Sequence, residues 1–435
     1  MTLTQPALSC FSRRSFLRRS AAAVALVPET GRAFAKSADR SFDLIVAGGT
    51  VIDPFRNEKR IADVGISQGK IVAVAETLDR KAGAQVLDAD GLLVSPGWID
   101  LHAHVFYGVR RNAVHPDKDA GVYTGVTTLA DPGGFVSDRF TLFRREIVEK
   151  SITRVLGFVN VSAFRRAAVD TSQASRRRLP IHGDWSVFNQ ELTIKTIDEN
   201  RDVIKGVKVL SSVRHSGSMG ITPTKLAVQA ARETNTHVMA HIGMAPPLIQ
   251  DVLNLLGRGD IITHSFKGFP SGLFHLNGRP VAELRRALKR GMRLDLGHGA
   301  GSFAWEAARH ARAADIPLHA ISTDLHRGSV KGPVWSYGRT MAKFLHLGDS
   351  IEDIVRMATL GPAQLIDQGF DLGSLELGTV ADLTVFRVVE TPTVLTDSLG
   401  NSETGNRDVE PVYCIRAGKL ISDMSVAPRG EVARK

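Results

Sequence analysis

His102 and His104 close a short apolar run, Leu92-Leu93-Val94-Ser95-Pro96-Gly97-Trp98-Ile99-Asp100-Leu101. Residues i and i+2 of a strand project to one face, so a strand here delivers two imidazoles to one point. At that spacing they can share a divalent cation. The same pair also fits a half-buried strand on which each ring finds only a backbone partner. Four later residues favour the cation: Lys208 within Ile204-Lys205-Gly206-Val207-Lys208-Val209, His241 after Ala240, His264 after Thr263 and Asp324 after Thr323. Each lies in or ends an apolar run, where burial of a lone polar group is costly, and one metal cluster would satisfy them all.

The elements that must position these groups follow from the pattern of apolar runs. Between 98 and 377, runs at 98–105, 125–130, 154–161, 203–210, 236–241, 260–264, 292–296 and 318–324 alternate with helical stretches. Eight strands alternating with helices fit a (β/α)8 TIM barrel, an α/β fold, better than an open doubly wound sheet. Strand ends converge at the C-terminal mouth of such a barrel, where His102, His104, Lys208, His241, His264 and Asp324 would meet. No Gly-x-Gly-x-x-Gly follows the first strand, so a dinucleotide site has no support.

Both flanks of this middle are β-rich. Residues 42–53 alternate around Gly48-Gly49 and read as a hairpin, with short strands at 61–66 and 71–74. Similar material returns only at 381–386 and 412–420, so 36–97 and 378–435 predict one small β-sandwich domain built from both chain ends. The polar stretch 393–407 reads as a surface loop.

With 435 residues, 43% hydrophobic and 23% charged, the composition is that of a soluble globular protein. The first 35 residues differ. Ser12-Arg13-Arg14-Ser15-Phe16-Leu17-Arg18 precedes the small apolar stretch Ala21-Ala22-Ala23-Val24-Ala25-Leu26-Val27, and Ala33-Phe34-Ala35 offers a cleavage site. This reads as a twin-arginine signal peptide over 1–35, giving a periplasmic product. The apolar stretch is too short for a membrane anchor. The segment carries five arginines against Glu29, so its removal takes the net charge from +10 to +6, which makes no case for nucleic acid. Cys10 would leave with it, and Cys414 alone permits no internal disulfide. The partner is a small-molecule substrate, and a homo-oligomer is compatible with the sequence.

The pattern resembles the amidohydrolase superfamily of metal-dependent hydrolases over nearly the whole mature chain. It is similar in particular to a deacetylase/dihydroorotase-like branch, through Gly206-Val207-Lys208-Val209, Asp295-Leu296-Gly297-His298-Gly299-Ala300-Gly301-Ser302-Phe303, Ile321-Ser322-Thr323-Asp324-Leu325-His326 and Gly332-Pro333-Val334. The resemblance implies two divalent metal ions, zinc by the N/O donor set. His102, His104 and Asp324 would hold the more buried ion and His241 and His264 the more exposed one, with carbamylated Lys208 as the bridge. Lys205 lies three residues earlier, and the Gly-Val-Lys-Val match selects Lys208. Two departures bear on recognition. Leu210 stands where the branch commonly has arginine, and Asp131-Pro132-Gly133-Gly134 replaces a Ser/Ala-containing turn.

The family's chemistry is hydrolytic: cations lower the pKa of water from about 15.7 toward ~7, hydroxide attacks an acyl carbonyl, and the aspartate, here Asp324, moves the proton to the leaving group. The resemblance favours removal of an acetyl group from an N-acetyl amino acid or an acetylated hydroxy acid. Cyclic-amide ring opening, as in dihydroorotases and hydantoinases, is the alternative. Dihydroorotase-like enzymes commonly follow the histidine pair with an arginine, whereas His104 is followed by Val105-Phe106-Tyr107. A third reading, an inactive barrel kept as a binding protein, sits poorly with six filled ligand positions.

His298 and His326 are candidate substrate contacts: His298 lies between two glycines, and His326 is two residues beyond Asp324. Tyr107 and Asn160 have weaker claims. His115, His182, His215, His237, His275, His310, His319 and His346 have no spacing argument and read as surface or core residues. Arg176-Arg177-Arg178 reads as solvated charge on a loop, with the alternative of drawing anions toward the mouth.

Overall fold

The computed structural model describes residues 42–107, 112–164 and 181–424. The predicted export segment 1–35 and the Arg176-Arg177-Arg178 run lie outside the described residues. Fifteen strands are described. Five precede the histidine pair: β1 (Leu44–Asp53), β2 (Glu58–Ser67), β3 (Lys70–Ala75), β4 (Val86–Asp88) and β5 (Leu93–Pro96). Seven follow as β6 (Trp98–Asp100), β7 (Val126–Pro132), β8 (Arg154–Asn160), β9 (Ile204–Ser211), β10 (His237–Ile242), β11 (Ile261–Thr263) and β12 (Arg293–Leu294). The chain ends in β13 (Leu383–Thr396), β14 (Ser402–Arg416) and β15 (Lys419–Asp423).

β6 to β12 form one parallel sheet in sequence order. Every position of β7 is buried, as expected where a parallel sheet is covered on both faces. Helices between the strands carry local start signals: Asn189 Oδ1 accepts from Leu192 N, Ser336 Oγ from Arg339 N and Ser350 Oγ from Asp353 N. The eighth predicted strand, 318–324, forms no ladder. It makes isolated parallel bridges, Asp295 with Ala320 and Ala103 with Leu325, which link it to both ends of the sheet. Two of its N–H groups are turned away from strand neighbours: Thr323 N and Oγ1 donate to the Asp100 carboxylate at 3.0 and 2.5 Å, and Ile321 N donates to Met357 O at 2.9 Å.

The second sheet draws on both ends of the chain, as predicted, but its eight strands are hydrogen-bonded as one sheet where a two-sheet sandwich was expected. The order is β15-β14-β13-β5-β1-β2-β3, with β4 beside β1. The join is β13 against β5, with Leu383 opposite Pro96 and Phe386 opposite Leu93. Leu44, Val46, Val64, Ile66, Leu383, Val385 and Ile415 make its core.

Two local readings change. Gly48-Gly49 is no hairpin turn: β1 runs through it and pairs with β2 on both sides of a bulge, Gly48 standing at φ +75° with its N–H on Asp63 Oδ1 at 2.7 Å. The stretch 393–407 is no loop either. It is the far half of a long β13–β14 hairpin, with Thr393 opposite Gly405 and Thr396 opposite Ser402. Its polar residues include the exposed strand positions Ser402, Thr404 and Asn406, and polar composition alone does not separate such a strand from a loop. No helix among the described residues is long and apolar enough to cross a membrane.

Candidate metal centre and active site

Separate strand ends bring the predicted ligands together. His102 and His104 follow β6, Lys208 and His241 lie on β9 and β10, His264 follows β11, and Asp324 follows the bridged segment. All six line one cavity, together with Phe106, Asn160, Leu210 and His326. His102 Nε2 and His104 Nε2 lie 3.5 and 3.2 Å from Asp324 Oδ1. Ligand atoms of these three residues fall within 4.8 Å of one another, a spacing that could hold one cation. The ring centroids of His102 and His264 are 5.0 Å apart, and those of His264 and His241 4.4 Å. Lys208 reaches the same wall because Gly133 gives it room: a Cβ there would stand 2.7 Å from Lys208 Cγ. Lys205 is elsewhere, its Nζ donating to Arg201 O at 3.0 Å.

Two of the rings are aimed by second bonds. His264 Nδ1 donates to Gly297 O at 2.6 Å, which leaves Nε2 as the available lone pair. Thr263 Oγ1 donates its one proton to Asp295 Oδ2 at 2.7 Å and therefore accepts from His102 Nδ1 at 2.8 Å. That fixes His102 as the tautomer whose Nε2 faces Asp324. The donor set fits a divalent cation for this reason: nitrogen lone pairs and a carboxylate converge, and His102 and His264 are each backed by a partner that fixes the ring's direction.

Electrostatics agree with this geometry. Burial lowers His102, His241 and His264 well below the ordinary imidazole pKa, with Lys208 adding to each, so the rings are neutral donors. For Asp324 burial works the other way, but the His104 hydrogen bond and the nearby His104, His264 and His326 outweigh it and hold the carboxyl well below the usual range. His264 and Asp324 both adopt left-handed backbone, at φ +68° and +47°. Histidine and aspartate tolerate that region better than most residues, and its concentration on two cavity residues fits a functional constraint.

Several residues around the ligands were missed by sequence reasoning. Asp100 Oδ1 accepts from His102 N at 3.1 Å and from Thr323 N, tying the first strand end to the segment before Asp324; burial pushes its pKa to about 7. Burial pushes Asp295 to about 6. Asp131 accepts from Val105 N, Phe106 N and Gly134 N, which shapes the chain leaving His104. His182 and His215, read from sequence as surface or core, stand directly behind the site. His182 Nε2 accepts from Leu210 N at 3.2 Å, and the His215 ring meets His241 edge-on at 5.0 Å.

The two substrate-contact candidates part company. His326 lines the cavity. His298 is fully buried and is not among the residues lining that cavity; its Nε2 takes a hydrogen bond from Lys343 and its ring stacks on Phe303. Tyr107 donates to Ala113 O, and Asn160, on the cavity wall, donates to Gly133 O.

The Thr263 relay gives a first prediction. Thr263→Val keeps the volume and removes the hydroxyl that joins His102 to Asp295, so divalent-metal affinity is expected to fall about 10–100-fold. Chelator competition measures it, and an unchanged affinity would remove Thr263 from the site.

Fold and site together define a hydrolytic enzyme. Residues 93–421 match the model of the Amidohydrolase family, and the chain belongs to that family, in which metal dependence is typical. It is 35% identical over 362 residues to a deacetylase of Agrobacterium fabrum, covering 83% of this chain and 86% of that protein. Among solved structures it is similar to an adenine deaminase, at 30% identity and TM-score 0.80, with 88% of this chain and 100% of the other covered. A dihydroorotase crystal structure matches at 32% identity and TM-score 0.78, with 87% and 97% covered.

Proposed function

We propose that the enzyme hydrolyses an acyl bond, removing an acetyl group from an N-acetyl amino acid or an acetylated 2-hydroxy acid. The observation that carries this reading is the convergence of four imidazoles, Asp324 and Lys208 on one cavity. The deacetylase relative, aligned over most of both chains, favours the acetyl group. In this reading His102, His104 and Asp324 would hold one divalent cation and His241 and His264 a second, with Lys208 contributing to both. Bound there, the cations, zinc by donor type, supply Lewis acidity to the reaction. Lys208 would give up the proton of its ammonium, add to CO2 as the neutral amine and release a second proton, so that two carbamate oxygens replace an ammonium that cations would repel. Asp324 accepts the proton of the attacking water on its carboxylate and returns it to the leaving nitrogen or oxygen. His326, which lines the same cavity with its ring 6.2 Å from that of His104, is the substrate contact in this reading.

The same reading takes 98–377 as a closed (β/α)8 barrel, with 318–324 as its eighth strand, and 36–97 plus 378–435 as the second domain. The bridges to Ala103 and Asp295 support closure. It takes 1–35 as a twin-arginine signal and the product as periplasmic, on the Arg13-Arg14 pair and the apolar stretch after it. Ring opening of a cyclic amide is the second reading, favoured by the likeness to the dihydroorotase structure.

Acetate release from N-acetyl-D- and L-amino acids and acetylated 2-hydroxy acids by the zinc-loaded chain is the test, with hydantoins and dihydropyrimidines alongside. Release from one stereochemical series is the expected result. Turnover of the cyclic amides alone would replace the acetyl reading with the second one.

A further inference from the structure

The mechanism leaves one buried cation unused. Lys343, on the helix Tyr337–His346, is fully buried, and its Nζ has three acceptors: His298 Nε2 at 2.5 Å, Thr396 O at 2.7 Å and Pro333 O at 3.0 Å. Three acceptors match the three protons of an ammonium, although burial lowers the pKa to about 7. The charge also lies 5.5 Å over the Phe303 ring, on which His298 stacks at 4.7 Å.

What Lys343 holds is the turn Gly297-His298-Gly299, and that turn touches two site residues. Gly297 O takes the Nδ1 proton of His264. Gly299 donates its N–H to Thr323 O at 2.8 Å, and a Cβ on it would stand 2.2 Å from Asp324 Oδ2. With Nε2 committed to Lys343, His298 carries its proton on Nδ1 and donates it to Gly299 O at 2.9 Å. The turn is gripped from outside as well. At the tip of the β13–β14 hairpin, Ser398 Oγ lies 3.2 and 2.9 Å from the carbonyls of His298 and Gly299, and it accepts from Phe303 N at 3.1 Å. Thr396, which takes a Lys343 proton, is on the same hairpin.

We propose that Lys343 and the β13–β14 hairpin tip are a positioning bracket for the candidate metal centre: they fix the 297–299 turn, and the turn fixes the direction of His264 and the seat of Asp324. The inference rests on the reading of His264 and Asp324 as metal ligands. It assigns the second sheet a role at the site beyond packing. Neither bracket residue touches substrate; both act through the turn.

Cobalt binding tests this without any substrate, because the visible absorption of bound Co²⁺ reports ligand geometry. Lys343→Met keeps the length of the side chain and removes the ammonium. Its cobalt complex is expected to show a shifted visible band and an affinity about 10–100-fold weaker than wild type, with the far-UV circular dichroism retained. Ser398→Ala is expected to move both readouts in the same direction by less. Val64→Ala, in β2 of the other core, lowers the melting temperature and is expected to leave band and affinity alone. A wild-type band and affinity in Lys343→Met would overturn the bracket, as would an equal loss in Val64→Ala. If Lys343→Met does not fold, Ser398→Ala decides, and wild-type behaviour in it overturns the bracket. A wild-type chain that binds no cobalt would instead sink the metal reading on which the bracket depends.

Discussion

Asp324→Asn is expected to lower kcat/KM for the hydrolysed substrate by about 10²–10⁴-fold, the range that a positioned acid/base group supplies. The amide keeps the volume but can neither accept a proton nor bring negative charge within 3.5 Å of His102 and His104. Rate and metal content measured on one sample separate lost chemistry from lost ligand, and a variant within tenfold of wild type would dismiss Asp324 as the proton carrier. The wild-type carboxyl also sets a pH expectation. Its folded pKa lies below the unfolded value, so its stabilising contribution is complete above about pH 4 and is lost as pH falls through the folded value. A base held that low stays ionised at pH 5. Loss of activity between pH 7 and 5 would therefore have to come from a group other than Asp324.

The six residues that gather on the cavity were legible because their signal is local. A histidine, lysine or aspartate that ends an apolar strand has few reasons to be there, and the six gather on one cavity. The residues that aim them were not legible. Thr263 inside Ile261-Ile262-Thr263 reads as a β-branched strand filler, and nothing in its neighbourhood shows that its hydroxyl joins His102 to Asp295, 32 residues later. Lys343 reads as one more cation of an amphipathic helix; only the fold puts it under the 297–299 turn, 45 residues away in sequence from His298. His298 drew attention for its flanking glycines, a sign of close approach, and the close approach the structure shows there is that of the Asp324 carboxylate to Gly299. The eighth strand and the β13–β14 hairpin show the converse difficulty. Apolar content located the first although it forms bridges and no ladder, while the polar composition of the second concealed regular pairing. Periodicity reports burial, and where hydrogen bonding and burial diverge the sequence reports only one of them.

Gly299→Ala is expected to cost both stability and activity, and a second glycine separates the two causes. Gly299 and Gly220 both stand at positive φ, +53° and +52°, Gly220 with ψ −118°. A Cβ on Gly220 meets nothing within 4 Å, whereas one on Gly299 would meet Asp324 Oδ2 at 2.2 Å. Alanine at either position therefore carries the conformational strain, about 1–3 kcal/mol, but only at 299 must the carboxylate move. Displacing a reacting group by about 1 Å can cost 10²-fold in rate, so Gly299→Ala should lose about that much kcat/KM and Gly220→Ala should keep wild-type kinetics at a lowered melting temperature. Equal kinetics in the two variants would mean that Asp324 relocates at no cost. The tight seat against Gly299 would then be packing alone, and the placement of the carboxylate would have to rest on His102 and His104.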